Sequence, residues 1–228
     1  MVDHERIKRR LRAKTDHRDL ESRIGRDEIK ENIKRNRRGR SFPVEDSLIY
    51  RLKEEYKQRD SIKVSAINDG YRLSLNDSTV QNPFVISPEI ANTIRDVTKG
   101  LYTPEDISFR IFSWMQDNVT YGDGKRKKRG VGYKSSEEVK ADKEGICGEM
   151  AYLYITMARC CGLTSAYVYV DKDFRGKKVN HACAAVELSE RGILVDPAYN
   201  AYDIDHLSVK IMSDIEVLRN YNAWRGSA

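Results

Sequence analysis

The sequence predicts a mixed α+β fold, in which several helices precede a long helix that leads into an antiparallel sheet. Proline follows a helix-capping residue at Ser87-Pro88 and at Thr103-Pro104, which favours the start of a helix at each proline. An apolar run from Cys147 to Cys161 predicts the long helix, and β-rich segments follow it near residues 165–170, 181–188 and 192–195. Helices followed by consecutive strands are typical of the α+β class.

Residues 1–40 differ from the rest of the chain in charge. They contain 15 Lys and Arg residues against 8 Asp and Glu residues, which gives +7, so the rest of this +6 chain carries −1. Their apolar residues are too few to bury one face of a helix in a core. We expect a basic arm that is helical in part or disordered, with a linker near 38–43, and that is available to an acidic partner or to nucleic acid.

Residues 41–100 are predicted to form an N-terminal extension that contains a helix, a β-hairpin and a second helix. The segment 44–58 carries apolar residues at helical spacing. Two alternating segments, at 61–67 and 71–75, flank the sequence Asn68-Asp69-Gly70, which suits a tight hairpin turn because these residue types tolerate positive φ.

Residues 101–228 are predicted to form the main domain. Its pattern also predicts a short capped helix at 136–140 and a closing helix over 207–220. No segment of the chain reaches the roughly 18 consecutive apolar residues of a membrane span, and the N-terminus lacks the apolar stretch of a secretory signal. We therefore expect a cytoplasmic protein that does not bind a membrane.

Cys147 is the candidate nucleophile because it opens the predicted long helix. The free N–H groups and the positive end of the helix dipole at this position lower a thiol pKa from about 8.5 toward about 3.5–7.5. The backbone N–H of Cys147 has no acceptor within the helix and is available to stabilise an oxyanion. The alternative interpretation is a small buried hydrophobic residue.

His181 and Asp196 are the candidates for a base and for the residue that orients it. His181 begins a strand-like segment, from which it can exchange a proton with a thiol. Asp196 ends an apolar strand, where a carboxylate can fix the tautomer of an imidazole and stabilise its cation. The alternatives are a surface or capping histidine and a turn aspartate, and His206 is the one rival base.

The surroundings of these three residues resemble the transglutaminase-like superfamily over about residues 110–199. Gly145-Ile-Cys147, Asn180-His181-Ala182 and Val195-Asp196-Pro197 are similar to the family's cysteine, histidine and aspartate motifs. The resemblance implies a papain-like catalytic core over 101–228 with the catalytic helix packed on an antiparallel sheet. It implies that Cys147 is the nucleophile, His181 the base and Asp196 the orienting residue. It also implies an aromatic residue at the oxyanion site, for which Tyr133 is the best match.

Five consecutive basic residues precede the predicted catalytic helix: Lys125, Arg126, Lys127, Lys128 and Arg129. Glycines flank them on both sides, so the charges lie in a predicted loop. They are candidates for steering acidic substrates or for contacting nucleic acid, because such a cluster raises encounter rates with anions. A solvated insertion is the alternative.

These features predict a thiol-dependent amide hydrolase, either a cysteine protease or a peptide amidase, that acts on a peptide or protein through an acyl-enzyme. The alternatives are acyl transfer to an amine, as in a protein-glutamine transglutaminase, and a non-enzymatic binding module on the same fold. No cofactor or metal is expected, because the four cysteines form no C-x-x-C pair and only His181 lies near any of them in the sequence.

Overall fold

The computed structural model describes residues 62–67, 70–75, 78–122 and 134–226. Five predictions concern residues outside these ranges: the basic arm, the linker near 38–43, the helix at 44–58, the basic loop at 125–129, and Tyr133. Those predictions stay predictions. None of the described helices combines the length and the apolar character that crossing a bilayer requires.

The first three strands form a sheet of their own. Strand β1 (Ile62–Ile67) pairs antiparallel with β2 (Gly70–Leu75), with Ile67 opposite Gly70, and this pairing confirms the predicted hairpin. Strand β3 (Ser78–Val80) pairs with β2 on its other side. The sequence pattern does not predict β3, because three residues are too few to show an alternation.

Helices α1 (Pro88–Val97) and α2 (Pro104–Asn118) begin at the two predicted prolines. The Ser87 hydroxyl accepts the N–H of Ile90 at 3.3 Å, and the Thr103 hydroxyl accepts the N–H of Asp106 at 3.1 Å. Each side chain thus satisfies an N–H that has no acceptor within the helix. Both helix starts are confirmed, because a cap followed by proline is a local signal.

Helices α3 (Ser136–Asp142) and α4 (Cys147–Cys160) follow, and α4 is the predicted long helix. Two short strands, β4 (Thr120–Tyr121) before α3 and β5 (Glu144–Gly145) after it, pair in parallel and so join the two segments that flank α3. In this pairing Tyr121 lies opposite Gly145, two residues before the start of α4. The pairing therefore brings Tyr121 to the N-terminal end of that helix.

The main sheet has five antiparallel strands in the order β10-β6-β7-β8-β9. The strands are β6 (Ser165–Lys172), β7 (Lys178–Glu187), β8 (Gly192–Asp196), β9 (Ala201–Tyr202) and β10 (Ser208–Ile211). The three predicted strands form its centre. Helices packed with a separate antiparallel sheet constitute the α+β class that the sequence predicts.

The predicted closing helix over 207–220 is wrong in its first part. Ser208–Ile211 forms the edge strand β10, which pairs with β6, and helix α5 (Asp214–Gly226) begins only afterwards. Pairing with an existing strand satisfies the backbone groups of this segment, and a long-range pairing of this kind leaves little trace in the local sequence.

Helix α4 lies at the centre of the hydrophobic core. Of its 14 residues 12 are buried, so the helix is covered on all sides rather than on one face. It packs against α1, α2 and α3 and against strands β6 and β7 of the main sheet. The position of Cys147 at its first turn is therefore fixed by most of the domain.

Candidate active site

Cys147 is the first residue of α4 and is partly buried. Glu149, in the same first turn, accepts the N–H of Ile146 at 2.9 Å and the N–H of Lys134 at 2.8 Å. The first bond fixes the residue just before α4, and the second ties the segment before α3 to it. In the first turn of α4, the N–H of Gly148 is one of the groups that stabilise the Cys147 thiolate.

Gly145 is needed for space at the entry to α4. A Cβ atom at this position would lie 3.3 Å from the Cβ of Glu149 and 3.3 Å from a methyl carbon of Val139. Gly145 is not among the residues with positive φ. Close packing against α3 and α4, rather than an unusual backbone conformation, is therefore the reason for a glycine here.

His181 and Asp196 come from the adjacent strands β7 and β8. The Nε2 atom of His181 lies 2.6 Å from Oδ2 of Asp196. The Oδ1 atom of Asp196 accepts the backbone N–H of Tyr199 at 3.0 Å, and the Asp196 side chain is fully buried. Because Nε2 of His181 is engaged by Asp196, Nδ1 is the ring nitrogen that remains for the Cys147 thiol.

The titration of these three residues is coupled through their contacts. Burial would raise the pKa of the Cys147 thiol, but its hydrogen bond with His181 and the charge of that ring bring the pKa below its ordinary value. Burial would lower the pKa of His181, but hydrogen bonds with Asp196 and Cys147 raise it to about 9. Thiolate and imidazolium therefore coexist over a pH window between the two pKa values, which we call the ion-pair window.

Tyr121 is an aromatic residue beside Cys147. Burial and the charge of Cys147 raise the pKa of Tyr121, and an interaction with the backbone of Cys147 opposes this rise, so the Tyr121 hydroxyl lies close to Cys147. The resemblance in sequence implies Tyr133 at this position, and Tyr133 lies outside the described residues. The signal for Tyr121 is its pairing with Gly145 across α3, which local sequence patterns do not reveal.

Two further rings, those of Tyr199 and His206, lie close to His181. The ring of Tyr199 stacks on that of His181, with 4.3 Å between centroids and 12° between planes. His206 lies on the other side of Asp196, and its Nε2 atom is 3.1 Å from the Oδ2 that also contacts His181. From the sequence His206 is predicted only as a rival base, whereas the structure places it against the carboxylate of Asp196.

His181, Asp196 and His206 are also the one group in the described part of the chain with the makeup of a metal site. Each offers a ligand atom, and the three atoms lie within 4.8 Å of one another. The same atoms already meet as hydrogen-bond partners, and a metal would have to displace the ring protons that make these bonds. The hydrogen-bonded arrangement accounts for the cluster without a metal.

A cleft with a volume of about 310 Å³ opens beside the thiol. Cys147 and His181 face it. The other lining residues, most of them apolar or aromatic, are Tyr121, Ile146, Gly148, Tyr152, Tyr167, Tyr169, Asn180, Ala182, Met212, Val217, Asn220 and Trp224. Apart from Cys147 and His181, the described lining includes no acidic or basic side chain. Helix α5 forms one wall through Val217, Asn220 and Trp224.

The other three cysteines differ from Cys147 in burial and acidity. Cys160, Cys161 and Cys183 are buried, and all four thiols are free. Burial raises the pKa of each of the three, to about 12 for Cys161. Cys147 is therefore the one thiol of this chain whose surroundings favour the thiolate.

Residues 91–197 match the sequence profile of the transglutaminase-like superfamily, so this segment is transglutaminase-like in sequence. The matched residues include Cys147, His181 and Asp196. No curated protein sequence matches the chain significantly.

Several solved structures are similar to this chain at low identity. A candidate cysteine protease from Cytophaga hutchinsonii is 12% identical with a TM-score of 0.43, covering 65% of this chain and 66% of that chain. A TGase is 16% identical with a TM-score of 0.38, covering 64% and 46%. The periplasmic domain of TgpA from Pseudomonas aeruginosa is 11% identical with a TM-score of 0.37, covering 62% and 64%. The chain spans less than two thirds of each of these relatives, and the likeness to the superfamily rests on the sequence match of residues 91–197.

Proposed function

We propose that the protein is a thiol-dependent amide hydrolase with Cys147 as nucleophile, His181 as general acid and base, and Asp196 as the residue that orients His181. One observation carries the proposal: the thiol at the N-terminus of α4 meets an imidazole whose other nitrogen is held by a buried carboxylate at 2.6 Å. A nucleophile, a base and an orienting group in this order are what acyl transfer requires.

The first half-reaction forms an acyl-enzyme. The Cys147 thiolate bonds to the carbonyl carbon of the substrate amide, and the carbonyl π electrons move to the oxygen. When this intermediate collapses, the C–N bond breaks and the His181 imidazolium gives its proton to the departing amine. His181 is then neutral and the acyl group is held as a thioester.

The second half-reaction returns the enzyme to its starting state. Neutral His181 removes a proton from water, and the resulting oxygen bonds to the thioester carbon. Collapse breaks the C–S bond, which restores the Cys147 thiolate beside the His181 imidazolium and releases a carboxylic acid. Asp196 stays ionised throughout and stabilises the imidazolium in both steps.

The oxyanion of each intermediate has two donors at hand. The backbone N–H of Cys147 and the hydroxyl of Tyr121 meet beside the thiol, which supports their joint use in binding the negative oxygen. Donors that are positioned before the reaction lower its barrier because they need no reorganisation when the charge develops.

The walls of the cleft support a peptide or protein substrate with an uncharged side chain near the scissile bond. Four tyrosines and Trp224 contribute aromatic rings to the described lining, and Asn180 and Asn220 supply polar groups without charge. Steering of acidic substrates by residues 125–129, binding of an acidic partner or nucleic acid by the basic arm, and a cytoplasmic location remain predictions from the sequence.

Product analysis tests the proposed reaction. A peptide library that includes glutamine-containing members is incubated with wild-type protein and with Cys147→Ala in ¹⁸O-labelled water, with and without a primary amine. We expect one ¹⁸O atom in each new carboxyl group with wild-type protein, no product with Cys147→Ala, and little amine incorporation. Efficient amine incorporation with little hydrolysis would favour a transglutaminase, and a library left intact by wild-type protein would favour the binding module.

A further inference from the structure

His206 has no part in the mechanism proposed above, yet it is buried against the triad. It lies between β9 and β10, and its side chain is 0% exposed. Its Nε2 atom is 3.1 Å from Oδ2 of Asp196, the same oxygen that lies 2.6 Å from Nε2 of His181. Two imidazole rings from different parts of the chain therefore converge on one carboxylate oxygen.

The surroundings of His206 indicate which ring nitrogen carries the proton. Its Nδ1 atom is buried and has no hydrogen-bond partner among the described residues. With the proton on Nδ1, this buried N–H would have no acceptor, and the lone pair of Nε2 would face the negative carboxylate. With the proton on Nε2, the Nε2–H donates to the Asp196 carboxylate, and the lone pair of Nδ1 is left without a donor, which costs less.

The carboxylate of Asp196 then receives three N–H donors. Tyr199 donates its backbone N–H to Oδ1 at 3.0 Å, and His181 and His206 donate to Oδ2. Accepting two or three such bonds stabilises the charged form of a carboxylate, whereas a buried carboxylate without donors lacks this stabilisation. Consistently, burial would raise the pKa of Asp196, but hydrogen bonds from His181 and then His206 lower it.

The His206 ring is itself held in place. The ring of Phe174 lies 6.3 Å from it and that of Tyr199 lies 5.9 Å from it, measured between centroids. The backbone N–H of Ile204 donates to the carbonyl of Leu194 at 3.1 Å, which ties the segment before His206 to strand β8. The donor nitrogen is thus presented to Asp196 by the fold rather than by a free side chain.

We propose that His206 is a positioning residue that donates its Nε2 proton to Asp196 and so keeps this carboxylate ionised and aligned with His181. The proposal rests on the proposed function, since it concerns the same triad. Without His206 the buried carboxylate has one donor fewer, its charged form is less favourable and its rotation is less restricted. The His181 imidazolium is then less stabilised, and so is the Cys147 thiolate beside it.

The tautomer of His206 is testable on the wild-type chain. ¹⁵N NMR of protein labelled at histidine nitrogens, at neutral pH, distinguishes a protonated from an unprotonated ring nitrogen. We expect a proton on Nε2 of His206, with His206→Gln used to assign its signals. An unprotonated Nε2 would overturn the proposal, whether or not any variant folds.

The effect on the triad is tested through the thiol, which needs no known substrate. The rate of iodoacetamide alkylation of Cys147 is measured against pH by peptide mass spectrometry. His206→Phe keeps an aromatic ring but removes the donor. In this variant we expect the ion-pair window to narrow, because the pKa of Cys147 rises and that of His181 falls, with about a tenfold change in each ionisation equilibrium. In His206→Gln, whose amide can donate from a similar place, we expect boundaries close to those of wild type.

Leu207→Ala is the matched control, because the neighbouring Leu207 is 67% exposed, and it should leave the window unchanged. A folded His206→Phe variant with the wild-type ion-pair window would overturn the proposal. A folded His206→Gln variant with a window as narrow as that of His206→Phe would overturn it too. A wild-type Cys147 that ionises only at the ordinary pKa of a thiol would instead contradict the proposed function. The two failures are therefore distinguishable.

Discussion

Tyr121 contributes the side-chain hydroxyl that contacts Cys147, and its role can be isolated by removing one oxygen atom. Loss of one oxyanion donor typically lowers the rate about 100- to 1000-fold, or about 2.7–4 kcal/mol. We expect Tyr121→Phe to slow acylation by this factor while iodoacetamide labelling of Cys147 persists. Single-turnover kinetics on a cleaved peptide measure the acylation rate.

Two other tyrosines serve as controls for Tyr121→Phe. Tyr102→Phe changes a residue that is 48% exposed and should leave acylation unchanged. Tyr133→Phe tests the residue that the resemblance in sequence implies. Slow acylation in Tyr133→Phe together with normal acylation in Tyr121→Phe would contradict the assignment of Tyr121.

The pH dependence of kcat/KM should follow the two ends of the ion-pair window. As pH rises, activity appears when Cys147 ionises, below the ordinary thiol pKa, and it is lost as His181 deprotonates near pH 9. Asp196 is the first of the groups that raise the His181 pKa, so Asp196→Asn should move the alkaline limb to lower pH. An alkaline limb that stays in place would show that Asp196 does not stabilise the imidazolium.

The residues of the site differ in how far the sequence predicts them. Cys147, His181 and Asp196 are marked by motifs of three residues each, and the structure brings the three together. Tyr121 and His206 carry no such motif. Their places depend on the pairing of β4 with β5 and on the turn between β9 and β10, which are long-range features of the fold.

At the level of elements, a buried ion pair joins the last turn of α4 to the first turn of α5. Arg159 and Asp214 are 2.7 Å apart, with side chains that are 5% and 3% exposed. Asp214→Ala leaves the Arg159 charge buried, with the carbonyl of Ser165 as an acceptor. Breaking a buried pair in this way typically costs about 3–5 kcal/mol. We expect a loss of this size in the free energy of unfolding, measured with urea.

A surface ion pair between strand β10 and helix α5 provides the control. Lys210 and Glu216 are 2.7 Å apart but 62% and 39% exposed, and pairs of this kind contribute about 0–1 kcal/mol. Lys210→Ala should therefore have little effect. Equal losses in Asp214→Ala and Lys210→Ala would show that the buried pair does not hold α5 against α4.

The elements that the sequence predicts best are those with local signals. Helices α1 and α2 begin where serine or threonine caps precede proline, and the helix at 136–140 begins at a capping box between Ser135 and Glu138. Strand β10 lacks a local signal, because its four residues are held by pairing with β6 at the sheet edge. Local patterns specify where a helix starts, while edge pairing depends on strands that are distant in sequence.

For the whole molecule, the sequence predicts that residues 1–40 lie outside the core. They carry a charge of +7 and few apolar residues, so little buried apolar area is expected from them. The free energy of unfolding of a chain that starts at Ser41 should lie within about 2 kcal/mol of that of the full chain, since about 2 kcal/mol is the scale of burying one large side chain. A larger loss in urea denaturation would place the arm in the core.

The central claim is that Cys147 carries the acyl group. Protein is mixed briefly with a p-nitrophenyl acyl ester, quenched in acid and mapped by peptide mass spectrometry, so that all four cysteines are compared in one sample. We predict a thioester on Cys147 in the wild-type chain, little on Cys160, Cys161 or Cys183, and a large loss of acylation in His181→Ala. A wild-type Cys147 that stays unmodified, or one that is acylated equally fast in His181→Ala, would contradict the account.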